Sequence, residues 1–205
     1  MNTFYLVRHG MKEKSVGDVK LSIEGIQQAK KTASYFENKQ MKEIFSSPLR
    51  RTKETAMYIS DSTKISVRED IRLRERANWG DIPGQSFDEF VEIWDKCSID
   101  RDYVPPQGIS ARQSGQRLEE FMFDCSSHAA NSEFVVVTHG GIITDFMINV
   151  FSTQQLDDLC PNFKTVQSLL IPECSITVIR YDEDKYDIDE FALTLHLTES
   201  DIPER

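Results

Sequence analysis

The sequence predicts an α/β fold built on a mostly parallel sheet, with one inserted segment that lies over the sheet as a lid. Apolar strands and amphipathic helices alternate from the start of the chain, which is typical of parallel βα units. Residues 134–138 join Phe134 to three consecutive valines, as expected for a strand buried on both faces. A length of 205 residues fits one domain over residues 1–205 with a modest insertion.

The first βα unit is predicted from residues 3–7, an apolar strand that ends at Arg8. Residues 11–20 are polar and predict a loop, and Ser22 can cap the helix that follows. Its apolar residues recur with the period of one helical face: Ile23, Ile26, Ala29, Ala33 and Phe36.

The second unit begins with a short strand at residues 44–46. Ser47 and Pro48 then predict an N-cap followed by proline at the first helical position. The helix would carry Arg50 and Arg51 in its first turn and an inner face of Leu49, Thr52, Ala56 and Ile59.

The alternation breaks at residues 78–110, the lid segment, which is rich in glycine and proline around a short amphipathic piece at residues 87–94. A helix that turns Leu118, Phe121, Met122 and Cys125 inward precedes the valine strand, and another begins at Ile142. Residues 175–180 and 191–197 are predicted as two terminal strands joined by an acidic turn.

Composition limits the class of protein. Hydrophobic residues are 39% and charged residues 28%, and neither a membrane-spanning run nor a signal peptide is evident, which predicts a cytoplasmic protein without a membrane partner. The four cysteines are widely spaced, which favours free thiols, and no metal or nucleotide motif occurs, so we expect no metal ion or cofactor.

Charge is unevenly distributed along the chain. The net charge is −10, yet residues 8–76 hold 16 lysines and arginines against 10 acidic residues. A local basic site on an acidic body predicts a small anionic ligand and disfavours nucleic acid as a partner. The sequence leaves the oligomeric state open.

Histidine followed by glycine ends two predicted strands, at His9-Gly10 and at His139-Gly140. In open α/β sheets ligands bind beyond the carboxyl ends of the strands, so both histidines should reach one crevice. An arginine in the first turn of the second helix would add a planar fork for phosphate at a helix N-terminus. A single histidine of this kind can simply end a strand; the three features together predict an anion site.

These residues resemble the histidine phosphatase superfamily. The chain contains, in the family's order, the triplet Arg8-His9-Gly10, the Leu-Ser-x-x-Gly-x-x-Gln-Ala start of a helix at residues 21–29, the Ser-Ser-Pro-Leu-x-Arg-Thr-x-Glu-Thr-Ala stretch at residues 46–56, Leu73-x-Glu75 and Thr138-His139-Gly140-Gly141. The resemblance covers nearly the whole chain and implies a three-layer α/β/α sandwich.

The resemblance also implies roles. His9 would take the phosphoryl group, and Arg8, Arg51 and, if protonated, His139 would surround its oxygens, helped by Gly10 and Gly140. Within the arginine pair it selects Arg51 over Arg50. Phosphoryl transfer depends mainly on such positioning and charge stabilisation, so a metal-independent phosphomonoesterase acting on a small phosphorylated metabolite or phosphoprotein is expected.

The leaving oxygen needs a proton, and the resemblance indicates Glu75 as its source. Glu13 in the first loop and Asp81 in the lid segment are the alternatives. Trp79, Phe87 and Trp94 would either pack the lid or line a pocket for the leaving group.

Two other functions remain open. Mutases of this family have a longer first loop with a Trp-Asn pair, whereas 11 residues, at positions 10–20, precede Leu21 here, which favours hydrolysis over mutase activity. A catalytically silent binding module of the same fold is the third hypothesis. The presence of all four expected site residues opposes it, namely Arg8, His9, Arg51 and His139.

Overall fold

The computed structural model describes residues 1–197, and these form a six-stranded sheet in the order β3-β2-β4-β1-β5-β6. The strands are β1 (Asn2–Arg8), β2 (Glu43–Ser46), β3 (Val67–Glu69), β4 (Glu133–Thr138), β5 (Ile176–Asp182) and β6 (Lys185–Leu193). The pairs β2–β3, β2–β4 and β1–β4 are parallel, and β1–β5 and β5–β6 are antiparallel. The predicted α/β fold with a mostly parallel sheet is confirmed.

Helices cover both faces of this sheet and make it three-layered. The helices are α1 (Ile23–Phe36), α2 (Arg50–Thr63), α3 (Phe87–Ile99), α4 (Ala111–His128), α5 (Gly140–Val150), α6 (Thr153–Leu159) and α7 (Phe163–Val166). On one face α1 and α2 pack Phe36 and Ile59 against alternate strand residues such as Val135. On the other face α4 and α5 pack Leu118 and Phe146 against the residues between them.

Local signals explain where the first two helices begin. Ser22 caps α1 as predicted, since its side chain accepts a hydrogen bond from the backbone N–H of Gly25. The predicted Ser47 cap of α2 is wrong, because the N-cap residue is Leu49 and the helix begins at Arg50. Pro48 therefore lies in the connection before the helix. The side chain of Ser47 does not cap the helix and instead hydrogen-bonds to His139, in the cleft described below.

The other boundaries differ from the sequence predictions in three places. The helix of the lid segment extends to Ile99 and starts with a capping box at Ser86 and Glu89. Helix α5 begins at Gly140, two residues earlier than predicted, directly behind His139. The predicted second terminal strand and the acidic turn before it are present, but the strand is β6 at Lys185–Leu193 instead of residues 191–197, and it follows β5 after a tight turn at Glu183 and Asp184.

The cysteines are unpaired thiols, of which Cys97 and Cys174 are buried. No group of three or more histidine, cysteine or acidic side chains within residues 1–197 is arranged to hold a metal ion. None of the helices in this part of the chain combines the length and apolar character needed to cross a membrane.

Candidate active site

A cleft of about 280 Å³ opens at the edge of the sheet where β1 and β4 end. Both strands run in the same direction, so His9 and His139, which follow them directly, lie side by side with ring centroids 5.1 Å apart. Helix α2 brings Arg51 between them. The predicted convergence of two histidines and an arginine on one crevice is therefore observed.

His9 is buried and held in one neutral tautomer by its two neighbours. Its Nδ1 lies 2.8 Å from the carbonyl oxygen of Gly10, which can only accept, so Nδ1 carries the proton. Its Nε2 lies 3.0 Å from Nε of Arg51, which can only donate, so Nε2 offers its lone pair. Burial, together with the charges of Arg51 and Arg8, lowers the pKa of His9 well below the usual 6.5.

Arg51 is the centre of the site, with 4% of its surface exposed. Besides His9, its guanidinium donates from Nη1 to Oδ1 of Asn78 at 3.2 Å and from Nη2 to Nδ1 of His139 at 3.2 Å. Burial lowers the pKa of Arg51 to about 10, although the carboxylate of Glu75 opposes that change. The guanidinium remains a cation at neutral pH, aimed at the cleft from the first turn of a helix.

His139 is neutral as well in the free protein, whereas the sequence-based expectation concerns its protonated form with phosphate bound. Its Nδ1 accepts from Arg51, so the proton sits on Nε2 and is donated to Oγ of Ser47 at 2.9 Å. Burial and the neighbouring Arg51 lower the pKa of His139 well below 6.5. A cation this close disfavours a second positive charge until an anion enters.

Arg8 borders the cleft, but its guanidinium is already engaged. It donates to the backbone carbonyl of Ile171 and to the carboxylate of Glu173, both in the segment before β5. Because β5 runs antiparallel to β1, the beginning of β5 lies at the same edge as the end of β1. Lys12 adds a further cation to the cleft, and burial lowers its pKa.

Glu75 lies in the same cleft and is 7% exposed. Its carboxylate contacts the N-terminus of α5. Its two carboxylate oxygens accept from the backbone N–H groups of Gly141 and Arg76, each at 3.0 Å. The arginines on either side of it in sequence have other partners, because Arg74 pairs with Asp81 at 2.9 Å and Arg76 pairs with Asp145 at 2.8 Å.

Arg76 and Asp145 form a buried ion pair beneath the lid segment. Their atoms Nη1 and Oδ1 are 2.8 Å apart, and the side chains are 1% and 0% exposed. The guanidinium also stacks on the ring of Trp94, 3.8 Å from its centroid. Burial raises the pKa of Asp145 to about 6 against the effect of Arg76. The pair joins α5 to the lid helix α3.

Comparison with known proteins identifies the family. Residues 4–194 match the model of the histidine phosphatase superfamily, branch 1. The chain belongs to the histidine phosphatase superfamily. Among sequence relatives, the probable phosphoglycerate mutase GpmB of Erwinia tasmaniensis is 32% identical over 148 residues, which cover 66% of this chain and 68% of the relative. The corresponding protein of Yersinia pestis is 31% identical over the same shares.

Solved structures with the fold of this superfamily include phosphatases. A phosphoserine phosphatase mutant from Entamoeba histolytica in complex with phosphoserine superposes with a TM-score of 0.74 at 23% identity, covering 97% of this chain and 100% of that one. A mycobacterial glucosyl-3-phosphoglycerate phosphatase complexed with VO3 gives a TM-score of 0.72 at 22% identity, covering 95% and 100%. At these identities the likeness describes the fold.

Within the histidine phosphatase fold, some predicted residues lie away from the cleft. Glu13 pairs with Lys20 at 3.2 Å, both about half exposed, on another part of the surface. Asp81 pairs with Arg74 and does not line the cleft. Gly10 donates its N–H to Oγ1 of Thr55 and lets the loop cross α1, since a Cβ would meet the carbonyl oxygen of Gly25 at 2.6 Å. Gly140, by contrast, borders the cleft.

Several residues of the cleft or of its immediate support are not predictable from the sequence patterns. They include Lys12, Ser47, Asn78 and Glu173. Ser47 has the pattern of a helix cap, and Lys12 lies in a loop without a pattern. Asn78 and Glu173 precede no helix and follow no parallel strand, so the rules that located the histidines could not find them.

Proposed function

We propose that this protein hydrolyses phosphomonoesters through a covalent phosphohistidine on His9. Nε2 of His9 attacks phosphorus while the bond to the alcohol oxygen breaks, and Glu75 gives that oxygen its proton. Water then attacks the phosphohistidine, Glu75 takes a proton from the water, and inorganic phosphate and free His9 are released. Both steps balance without a metal ion or cofactor.

The tautomer of His9 is the observation that carries the proposal. The Gly10 carbonyl holds the proton on Nδ1, so the lone pair of Nε2 faces the cleft and Arg51. A nucleophilic imidazole must be neutral, and burial with two arginines nearby keeps it so. An incoming phosphate would take over the Nε hydrogen bond of Arg51 and expose the lone pair.

The charges around His9 suit a phosphoryl group. Arg8, Lys12 and Arg51 border the cleft, and donors of this kind typically supply about 3–4 kcal/mol each to a transition state with developing charge. A dianionic phosphate between them would offset the cations that keep His139 neutral, so proton uptake by His139 would accompany binding.

The surroundings of Glu75 support the proposal that it exchanges the proton of the leaving group. Its carboxylate lies in the cleft and is fixed by two backbone N–H groups, one of them from the residue that follows Gly140. Glu13 and Asp81 are committed to Lys20 and Arg74, which favours Glu75 over both.

A phosphoglycerate-type mutase is the second candidate, because the sequence relatives with 31–32% identity are named probable phosphoglycerate mutases. A mutase would return the phosphoryl group of His9 to the sugar acid instead of to water. Incubation with 3-phosphoglycerate separates the two, since a phosphatase releases inorganic phosphate and a mutase forms an isomer.

The direct test is turnover of p-nitrophenyl phosphate between about pH 5 and pH 8, the range in which histidine titrates. We expect activity, acid-labile phosphate on the wild-type protein, and loss of both in His9→Ala. His128→Ala is the matched control, because His128 is exposed at the end of α4. Full activity in His9→Ala would exclude the mechanism, and no turnover by the wild type would favour a silent binding module. EDTA should have little effect.

A further inference from the structure

Four aromatic side chains form a continuous row along one wall of the cleft. The row consists of Trp79, Phe87, Phe90 and Trp94, whose neighbouring ring centroids lie 5.2, 6.4 and 5.9 Å apart. Phe87 keeps 54% of its surface exposed. An exposed aromatic wall beside a phosphate-type site indicates where the rest of a substrate would lie.

The row offers apolar ring surface to a ligand, because its two indole N–H groups already donate hydrogen bonds to acceptors of the protein. Nε1 of Trp79 donates to the carbonyl oxygen of Gln85 at 3.1 Å, and Nε1 of Trp94 donates to Oγ of Ser168 at 3.2 Å. An alcohol with several hydroxyl groups would lose water against this wall without gaining hydrogen bonds from it. A hydrocarbon group would gain by burial.

Charge on this side of the cleft disfavours a second anionic group. The cations that border it at the His9 end are Arg8, Lys12 and Arg51, which the transferring phosphoryl group would occupy. The cation beside the aromatic row is Arg76, and it is 1% exposed and paired with Asp145. A carboxylate on the leaving alcohol would therefore meet the row without a free counter-charge and with Glu75 nearby.

A cationic leaving group is disfavoured as well. Aromatic rings attract ammonium groups, but the face of Trp94 already carries the guanidinium of Arg76 at 3.8 Å. That face of Trp94 is therefore not available to a substrate ammonium.

We propose that the leaving alcohol of the substrate is apolar and uncharged, aryl-alkyl or branched alkyl, and that the aromatic row binds it. The inference rests on the proposed phosphatase function and deepens it. It sets this protein apart from relatives and neighbours named for phosphoglycerate or phosphoserine, whose alcohols carry a carboxylate.

The test compares kcat/KM for four phosphate esters of primary alcohols, so that the leaving oxygens are alike. They are 2-phenylethyl phosphate, 3,3-dimethylbutyl phosphate, phosphocholine and 3-phosphoglycerate. The second and third are nearly the same shape and differ in charge. We expect the two neutral alcohols to exceed the two charged ones at least about tenfold, which corresponds to about 1.4 kcal/mol.

Variants locate the preference. Phe87→Ala should lower the ratio of kcat/KM for 2-phenylethyl phosphate over 3-phosphoglycerate at least about fivefold, by removing ring contact. Phe123→Ala is the matched control, because Phe123 is 52% exposed on α4 and lies outside the cleft. It should leave the ratio unchanged.

Each result decides the question. Three results would overturn the apolar leaving group while the phosphatase function stands. They are kcat/KM values for the four esters within about threefold of one another, a higher kcat/KM for 3-phosphoglycerate than for the neutral esters, and a higher kcat/KM for phosphocholine than for 3,3-dimethylbutyl phosphate. An equal loss of the ratio in both phenylalanine variants would also contradict it. No hydrolysis of any ester, p-nitrophenyl phosphate included, would remove the proposed function and this inference together.

Discussion

Nε of Arg51 donates to Nε2 of His9 at 3.0 Å, so the arginine meets the same lone pair that would attack phosphorus. In the free protein, the proposed nucleophile His9 is thus hydrogen-bonded to Arg51, the group that would later bind the phosphate. In the proposed mechanism a substrate would displace this hydrogen bond, and the two nitrogen atoms would then lie on either side of the phosphoryl group.

Replacement of Arg51 should therefore affect chemistry more than folding. We expect Arg51→Lys to lower kcat about 10²–10³-fold, because a lysine cannot offer the planar fork that reaches His9, Asn78 and His139 together. Arg50→Lys is the control, since Arg50 is exposed and pairs with Glu54. Comparable losses in both variants, measured by steady-state kinetics, would contradict the assignment of Arg51.

Glu75→Gln should have an effect that depends on the leaving group. An alkyl alcohol needs a proton as it leaves, so kcat/KM for an alkyl phosphate, which reports the steps up to release of the alcohol, should fall about 10²–10⁴-fold. p-Nitrophenol is a far stronger acid and leaves readily as an anion, so its ester should lose much less. Glu13→Gln should change neither, because Glu13 pairs with Lys20 outside the cleft. Equal losses for both esters in Glu75→Gln would rule out its role as the acid.

The buried histidines predict how stability depends on pH. Their pKa values lie below the 6.5 of an unfolded chain, so below about pH 6.5 the unfolded state binds more protons than the folded state. The free energy of unfolding therefore loses nothing to these two histidines above pH 6.5. Below pH 6.5 it falls as the pH drops, by up to about 1.4 kcal/mol per pH unit for each histidine.

Urea unfolding at several pH values between about 5 and 7.5 measures this slope. His9→Asn should reduce it by about one proton relative to the wild type. The raised pKa of Asp145 acts in the opposite direction, stabilising the fold as the pH falls below about 6, but it is common to both proteins. Identical slopes in the two proteins would show that His9 is not held neutral.

Adjacent glycines at the start of α5 should respond differently to alanine. A Cβ on Gly141 would lie 2.6 Å from the ring of Trp94 and 2.7 Å from Oε1 of Glu75, whereas on Gly140 the nearest atom, in Arg8, is 3.4 Å away. Gly141→Ala should displace Glu75 and lower kcat at least about tenfold. Gly140→Ala should retain most activity. The reverse order would contradict the tight contact between Glu75 and α5.

Asp145→Asn should destabilise the protein by about 3–5 kcal/mol, because it leaves the buried guanidinium of Arg76 without its counter-charge. Asp102→Asn removes the partner of Arg112 in an exposed pair and should change stability far less. Denaturant unfolding of the two variants checks the difference. Equal midpoints for Asp145→Asn and the wild type would show that the pair contributes nothing.

Pattern in the sequence located the groups that follow parallel strands, and this is why His9, His139 and Arg51 were predicted correctly as neighbours. The rule has a physical limit at β5, which is antiparallel, so it is the residues before this strand that reach the cleft. Glu173 was missed for that reason. Whether His139 carries a proton could not be predicted from the sequence, because it depends on which atom of Arg51 faces the ring and on whether an anion is bound.

The pairing of β1 has a consequence for synthesis of the chain. Phe4 lies opposite Phe134 and Ile179, so the central strand has no partner until β4 and then β5 have left the ribosome. At about 5–20 residues per second this leaves the apolar strand β1 unpaired for on the order of 10–30 s. A nascent chain thus carries its histidine triplet long before β4 and β5 emerge, and the cleft cannot form until they do.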